Sequence, residues 1–149
     1  MGLEEDIKQT KGFKSEHQKA MVNIIYTEAW VRNKIGAALK PFGLTNQQYN
    51  VLRILRGSNP EPLSTSSIRE RMLDKMSDAS RIVDRLYKKN WVSKVVCTTD
   101  KRLVDIVITE EGLDVLAQLD GKMDYGRIFG KLSDEEAKQL NELLDKARG

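Results

Sequence analysis

The sequence has little material for catalysis: one cysteine, one histidine and no glycine-rich phosphate loop. A single cysteine, Cys97, cannot form a disulfide within the chain, which fits a reducing compartment. A Cys–His nucleophile pair would require folding to join Cys97 to His17, and no catalytic signature surrounds either residue. The sequence therefore predicts that the protein is not an enzyme and holds no cofactor and no metal. Two alternatives stay open, a redox role for Cys97 and a metal site that includes His17.

The chain also lacks long apolar runs. The N-terminal stretch is acidic and has no apolar core, so we expect no signal peptide. No segment approaches the ~18 consecutive apolar residues of a spanning helix. Together with the single cysteine, these absences predict a cytoplasmic protein.

The net charge is small, +3 over 149 residues, but it is unevenly distributed. Residues 44–110 contain 12 Lys and Arg against 8 Asp and Glu, a net charge of +4. Residues 111–149 contain 6 against 9, a net charge of −3. This distribution favours an anionic partner for the middle of the chain and a separate assembly surface at its end.

Apolar spacing of three and four predicts a helix from Phe13 to about Lys40, ended by Pro41 and Gly43, after polar and frayed residues 1–12. Helix N-termini are predicted where a hydroxyl or capping-box pattern precedes an apolar run. These caps are Thr45, Ser64, Ser77, Thr109 and Ser133.

The middle of the chain has the pattern of a helix, a short turn, a second helix and a β-hairpin. The turn, Leu73–Met76, contains no glycine, and Asn90 is predicted to end the second helix in the left-handed conformation. In the second helix, Ala79, Ile82, Val83 and Leu86 share one side and are predicted to be buried. The opposite side is predicted to contact DNA in the major groove through Ser77, Asp78, Ser80, Arg81, Arg85 and Lys88.

The hairpin has a basic tip that can reach a minor groove, where an arginine is favoured at narrow A·T-rich sequence. The predicted contacts there are Thr99, Asp100, Lys101 and Arg102. The N-terminus of the first of the two helices is predicted to hold DNA phosphates. The residues proposed for that role are Ser64, Thr65, Ser66, Ser67 and Arg69. The alternative for all these side chains is an ordinary solvated surface with weak ion pairs.

These segments resemble the MarR (multiple antibiotic resistance regulator) family of winged helix-turn-helix transcription regulators. The matching segments are LTNQQYNVLRIL, SRIVDRLYKKNWV and TDKRLVDIVITEEG. The resemblance implies a mainly α fold with a small β-hairpin wing, formed as a single domain over residues 1–149. In that domain residues 44–110 form the winged-helix DNA-binding module, and residues 13–42 and 111–149 form helical dimerisation regions.

The resemblance further implies a homodimer on a palindromic double-stranded operator, released in some relatives by a small ligand or an oxidant. We expect a repressor. A pocket for a small aromatic ligand would involve His17, Tyr26, Trp30 and Tyr49, although core or dimer packing is the alternative for Trp30 and Tyr49. The rival function is a winged helix that contacts proteins and does not bind DNA.

Overall fold

The computed structural model describes residues 2–96, 99–100 and 103–149. Within these residues the chain forms a helical protein with one small sheet. The helices are α1 (Leu3–Asp6), α2 (Glu16–Leu39), α3 (Asn46–Ser58), α4 (Thr65–Arg71), α5 (Ala79–Lys88), α6 (Glu110–Asp120), α7 (Tyr125–Ile128) and α8 (Asp134–Arg148), with a 3-10 turn at Lys40–Phe42. The strands are β1 (Leu63–Ser64), β2 (Val92–Val96) and β3 (Val104–Ile108).

The sheet is antiparallel with the order β1-β3-β2. In the predicted hairpin, Val92 pairs with Ile108 and Val96 pairs with Val104. The sequence did not predict β1, which pairs Leu63 with Ile106. A strand of two residues has no periodicity to detect, so only its partner makes it visible.

Most of the predicted caps are confirmed. Thr45 and Ser133 form complete capping boxes with Gln48 and Glu136. The Ser64 hydroxyl caps α4, and the Thr109 hydroxyl caps α6. Each cap satisfies amides that the first helical turn leaves without partners, so these helices begin where the sequence places them.

Three predictions about local structure are wrong. The first long helix was expected from Phe13, but α2 begins at Glu16 and Ser15 is its cap. Residues 1–12 were expected to be frayed, but Leu3–Asp6 forms a one-turn helix in which Leu3 is buried and Glu4 pairs with Lys19 at 2.6 Å. Ser77 was expected to cap the second helix of the helix pair. That helix is α5, and its cap is the next residue, Asp78. Asp and Ser cap helices about equally well, so adjacent candidates cannot be separated from sequence.

The core lies where α3, α4 and α5 meet the sheet and α6. Its fully buried side chains come from every one of these elements, among them Leu52, Ile68, Leu86, Ile106 and Leu116. This shared core fixes the helix pair α4–α5 relative to the hairpin. None of the helices in the described part of the chain has the length and apolar character to cross a membrane.

Gly112 shows how closely α6 approaches the start of the hairpin. A Cβ atom at this position would lie 2.3 Å from the carbonyl oxygen of Trp91 and 2.8 Å from the side chain of Ile108. Since the nearest obstacle is backbone, only glycine fits here without a shift of the chain. The glycine that ends the Thr109–Gly112 segment is therefore required by packing.

Candidate nucleic-acid interface

Helix α5 is oriented as the sequence predicted. Ala79, Val83 and Leu86 are between 0% and 2% exposed, and Ile82 is partly buried against the same core. Burying such side chains contributes roughly 1.5–3 kcal/mol for each of the larger ones, which is enough to set the rotation of the helix. The other side of α5 consequently faces away from the core.

The outward side of α5 is polar and cationic. The exposed residues there are Ser80, Arg81, Arg85 and Lys88, with the cap Asp78 at its beginning. The side chain of Arg81 is 72% exposed, and its Nε lies 4.0 Å from Oδ2 of Asp78. A pair at this distance and exposure contributes at most a few tenths of a kcal/mol, so Arg81 can turn toward a ligand at little cost.

Ser77 differs from the other predicted contacts. Its hydroxyl oxygen is inaccessible to solvent and has no hydrogen-bond partner among the described residues. The backbone amide of Ser77 donates to the carbonyl of Asp74 at 3.3 Å. Ser77 thus lies at the inner edge of the exposed surface.

Asp84 connects α5 to the hairpin. Its Oδ1 accepts a hydrogen bond from Nζ of Lys94 on β2 at 2.8 Å, and this bond lowers the pKa of Asp84. Lys94 also lies over the ring of Tyr87, 4.8 Å from its centroid, so one cation holds the wing strand against α5 from two directions.

The end of α5 is closed by the predicted left-handed asparagine. Asn90 has φ of +61°. Its amide donates to the carbonyl of Tyr87, and the amide of Trp91 donates to that of Leu86, which is the Schellman pattern. Lys89 donates to the carbonyl of Gly43 and lies over the ring of Trp91. The bond between Lys89 and Gly43 joins the ends of two distant helices, so spacing in the sequence gave no sign of it.

The predicted phosphate-binding residues gather at the start of α4. The Ser64 hydroxyl accepts from the amide of Ser67 at 3.1 Å and donates to the Ser67 hydroxyl at 3.0 Å. Ser66 and Arg69 are exposed, and Thr65 is partly buried. Ser66 and Arg69 are thus the most accessible of the five.

The predicted wing contacts lie at the tip between β2 and β3. Thr99 is exposed, and the carbonyl of Asp100 accepts from the amide of Leu103 at 3.0 Å. Lys101 and Arg102, like Cys97, lie outside the described residues.

The four residues of the predicted ligand pocket have different surroundings. The Tyr49 hydroxyl lies 3.1 Å from that of Tyr125, and burial followed by this hydrogen bond raises the pKa of Tyr49 to about 12. Trp30 meets Phe129 edge-to-face with the ring centroids 6.0 Å apart. Tyr26 and His17 are exposed on α2. A shallow cleft of about 490 Å³ lies elsewhere, between α5 and the sheet, lined by Tyr87, Lys88, Asn90, Val92, Ser93, Thr109 and Glu111.

Comparison with known proteins agrees with this geometry. The family model described as MarR family matches residues 44–104. The uncharacterized HTH-type transcriptional regulator YhbI of Bacillus subtilis is 30% identical over 109 residues, which cover 70% of this chain and 68% of that protein. The HTH-type transcriptional repressor MdtR of Bacillus subtilis is 37% identical over 70 residues, which cover 47% of this chain and 44% of that protein.

A solved structure extends the likeness to nearly the whole fold. The crystal structure of a mutant MarR from E. coli, complexed with operator DNA, matches with a TM-score of 0.76 at 21% identity. The match covers 86% of this chain and 93% of the E. coli chain. The arrangement of terminal helices around a winged-helix module is therefore common to both.

Proposed function

Since the chain belongs to the MarR family of transcription regulators, we propose that it binds a specific duplex operator as a cytoplasmic homodimer and represses transcription. The observation that carries this proposal is the orientation of α5. Its apolar residues are held in the core, and Arg81 at its N-terminal end is 72% exposed. A helix presented in this way fits a major groove, and the matched E. coli structure contains operator DNA.

We assign roles to the exposed side chains by their place on the interface. Ser80, Arg81 and Arg85 face base edges, where an arginine can donate two parallel bonds to guanine. Lys88, near the end of the helix, holds a phosphate. Further phosphate and minor-groove contacts come from the start of α4 and from the wing, including Lys101 and Arg102.

The dimer is supported by apolar side chains that the single chain leaves uncovered. On α2, Ile25 is 63% exposed, and on α8, Leu143 is 65% exposed. Exposed apolar side chains in such number favour an interface. Others lie on α2, on α7, between α7 and α8, and on α8: Met21, Ile24, Tyr26, Trp30, Tyr125, Phe129, Leu132 and Leu140. Two-fold pairing through these helices would place two copies of α5 on an inverted repeat.

We also propose that a small aromatic ligand controls operator binding at the junction of α2, α3 and α7. The support is two aromatic contacts there, the Trp30–Phe129 pair and the Tyr49–Tyr125 hydroxyl contact. A ligand that separated either pair would change the position of α7 relative to the winged-helix module.

Selection of bound fragments from a random duplex library tests the proposed function. The wild-type protein should enrich an inverted repeat, and affinity should fall steeply with salt, because each phosphate contact contributes a slope of about −0.9 in a plot of log K against log salt. Arg81→Ala should relax the preference at one position in each half-site. Lys88→Ala should keep the preference and reduce the slope by about 1 for each protomer.

Arg148→Ala is the matched control, because it removes an exposed arginine from the acidic end of the chain. It should change neither the preference nor the slope. If the wild-type protein enriches no duplex and shows no salt-sensitive binding, the DNA proposal is wrong and the winged helix acts on proteins. Identical preferences for wild type and Arg81→Ala would reject the base-reading role of Arg81 alone.

A further inference from the structure

The turn between α4 and α5 exposes two large apolar side chains. Met76 is 93% exposed and Leu73 is 88% exposed, more than any other large apolar side chain in the described residues. Both lie on the segment that immediately precedes α5. Met76 lies two residues before Asp78, the cap of α5.

The backbone of this turn is held by hydrogen bonds from both sides. The amide of Leu73 donates to Oδ1 of Asn50 on α3 at 3.0 Å. The amide of Met76 donates to Oδ1 of Asp74 at 3.0 Å, and the amide of Ser77 donates to the Asp74 carbonyl. This Asx turn replaces the glycine that the sequence lacks here. The position of Met76 is therefore specified by the fold.

Single exposed apolar residues are common on protein surfaces, so exposure alone would not indicate a partner. Met76, however, lies just before the N-terminal end of α5, and the N-terminal residues of a recognition helix approach base edges. Among the base edges in the major groove, thymine alone presents an apolar group, its 5-methyl. The thioether of methionine is flexible enough to fit against such a methyl group.

We infer that Met76 contacts the 5-methyl group of a thymine in the major groove of each operator half-site. The inference rests on the proposed function and adds a residue that determines specificity before the helix begins. Arg81 and Arg85 can select guanine by hydrogen bonding, whereas Met76 selects thymine by excluding water from an apolar surface.

Replacing thymine by deoxyuridine tests this contact, since the change removes the methyl group and keeps every hydrogen-bonding atom. Each thymine of the selected operator is replaced in turn, first in one half-site and then in both. At one position the wild-type protein should bind about fourfold more weakly, the factor that burial of one methylene-sized group at ~0.8 kcal/mol represents. Replacement in both half-sites should weaken binding by about 15-fold, the square of that factor.

Two variants assign the effect to Met76. Met76→Ala should bind the thymine and deoxyuridine operators equally, and Met76→Leu should recover most of the discrimination because it restores an apolar side chain of similar volume. Since Met76 is almost fully exposed, both variants should melt like the wild type. At some positions deoxyuridine could weaken binding of the wild type and of Met76→Ala by the same factor. Such an effect would come from DNA shape and not from this contact.

The outcomes separate this inference from the proposed function. Enrichment of an operator without any Met76-dependent thymine position would overturn the inference and leave the proposed function standing. Failure to enrich any duplex would overturn both.

Discussion

The winged-helix module and the terminal helices use apolar residues in opposite ways. In the module, α3 and α5 bury Leu52, Leu55 and Leu86 to 1% exposure or less. In the terminal helices, Ile25 and Leu143 remain more than 60% exposed. The module completes its core within one chain, whereas α2 and α8 also carry apolar side chains that this chain leaves uncovered. Stability of the fold and assembly of the proposed dimer should therefore respond to different substitutions.

The largest effect should come from placing a charge on the uncovered face. Ile25→Glu should convert the proposed dimer to monomer, because a symmetric interface contains the residue twice and each buried isoleucine contributes roughly 1.5–3 kcal/mol. Analytical ultracentrifugation across a concentration series measures the change. Asn23→Glu, on the other side of the same exposed helix, should leave the dimer intact. Equal dissociation of the two variants would contradict an interface on the Ile25 face.

Truncation of a core residue in the module should lower the free energy of unfolding by about 2–5 kcal/mol. Leu86→Ala is the test, because Leu86 is 0% exposed. Both this variant and Leu143→Ala should be made in the Ile25→Glu monomer. There Leu143→Ala should change the free energy of unfolding by less than about 0.5 kcal/mol, because the side chain already faces water. Denaturant titrations measure both changes. If Leu143→Ala lowered the free energy of unfolding as much as Leu86→Ala, α8 would pack within the chain.

A smaller effect is expected where the module joins α6. Gly112→Ala should cost about 1–3 kcal/mol, because the new methyl group would lie 2.3 Å from the Trp91 carbonyl oxygen. Gly57→Ala is the matched control, since no atom lies within 4 Å of its added Cβ. The control should be neutral or slightly stabilising in the helix. Thermal unfolding measures the difference. Equal melting temperatures for the two variants would contradict this packing.

The smallest effect should appear only in alkaline solution, at the contact between the module and α7. The Tyr49 hydroxyl ionises near pH 10 in the unfolded chain, and its pKa is raised to about 12 in the fold. The unfolded chain loses the proton first, so the stability present below pH 10 is lost as the pH rises toward 12. Tyr49→Phe should lose less stability over this interval, as urea titrations at pH 9 and pH 11 would measure. If the wild type and Tyr49→Phe lost the same stability between pH 9 and pH 11, the pKa of Tyr49 would not be raised.

Much of the candidate interface could be predicted from the sequence, because the information is local. The buried stripe of α5 follows from a 3.6-residue period, and the left-handed Asn90 follows from the rarity of residues that tolerate that conformation. The caps Thr45, Ser64 and Ser133 follow from hydroxyl groups placed before apolar runs. Each of these features depends on residues within a few positions of one another.

Four of the features that the sequence missed join different elements of the fold. They are strand β1, the bond from Lys89 to Gly43, the Asp84–Lys94 pair and the hydroxyl contact of Tyr49 with Tyr125. A polar side chain has several partners of equal chemistry along the chain, and only packing brings one of them within 3 Å.

The sequence by itself determined the helix periods, four of the helix starts and the cationic side of α5, because propensity, capping and amphipathic spacing act over a single turn of chain. Tertiary structure alone decided which apolar faces are covered within the chain and which remain open. That difference depends on how many other elements can reach a given face, and no stretch of sequence records this number.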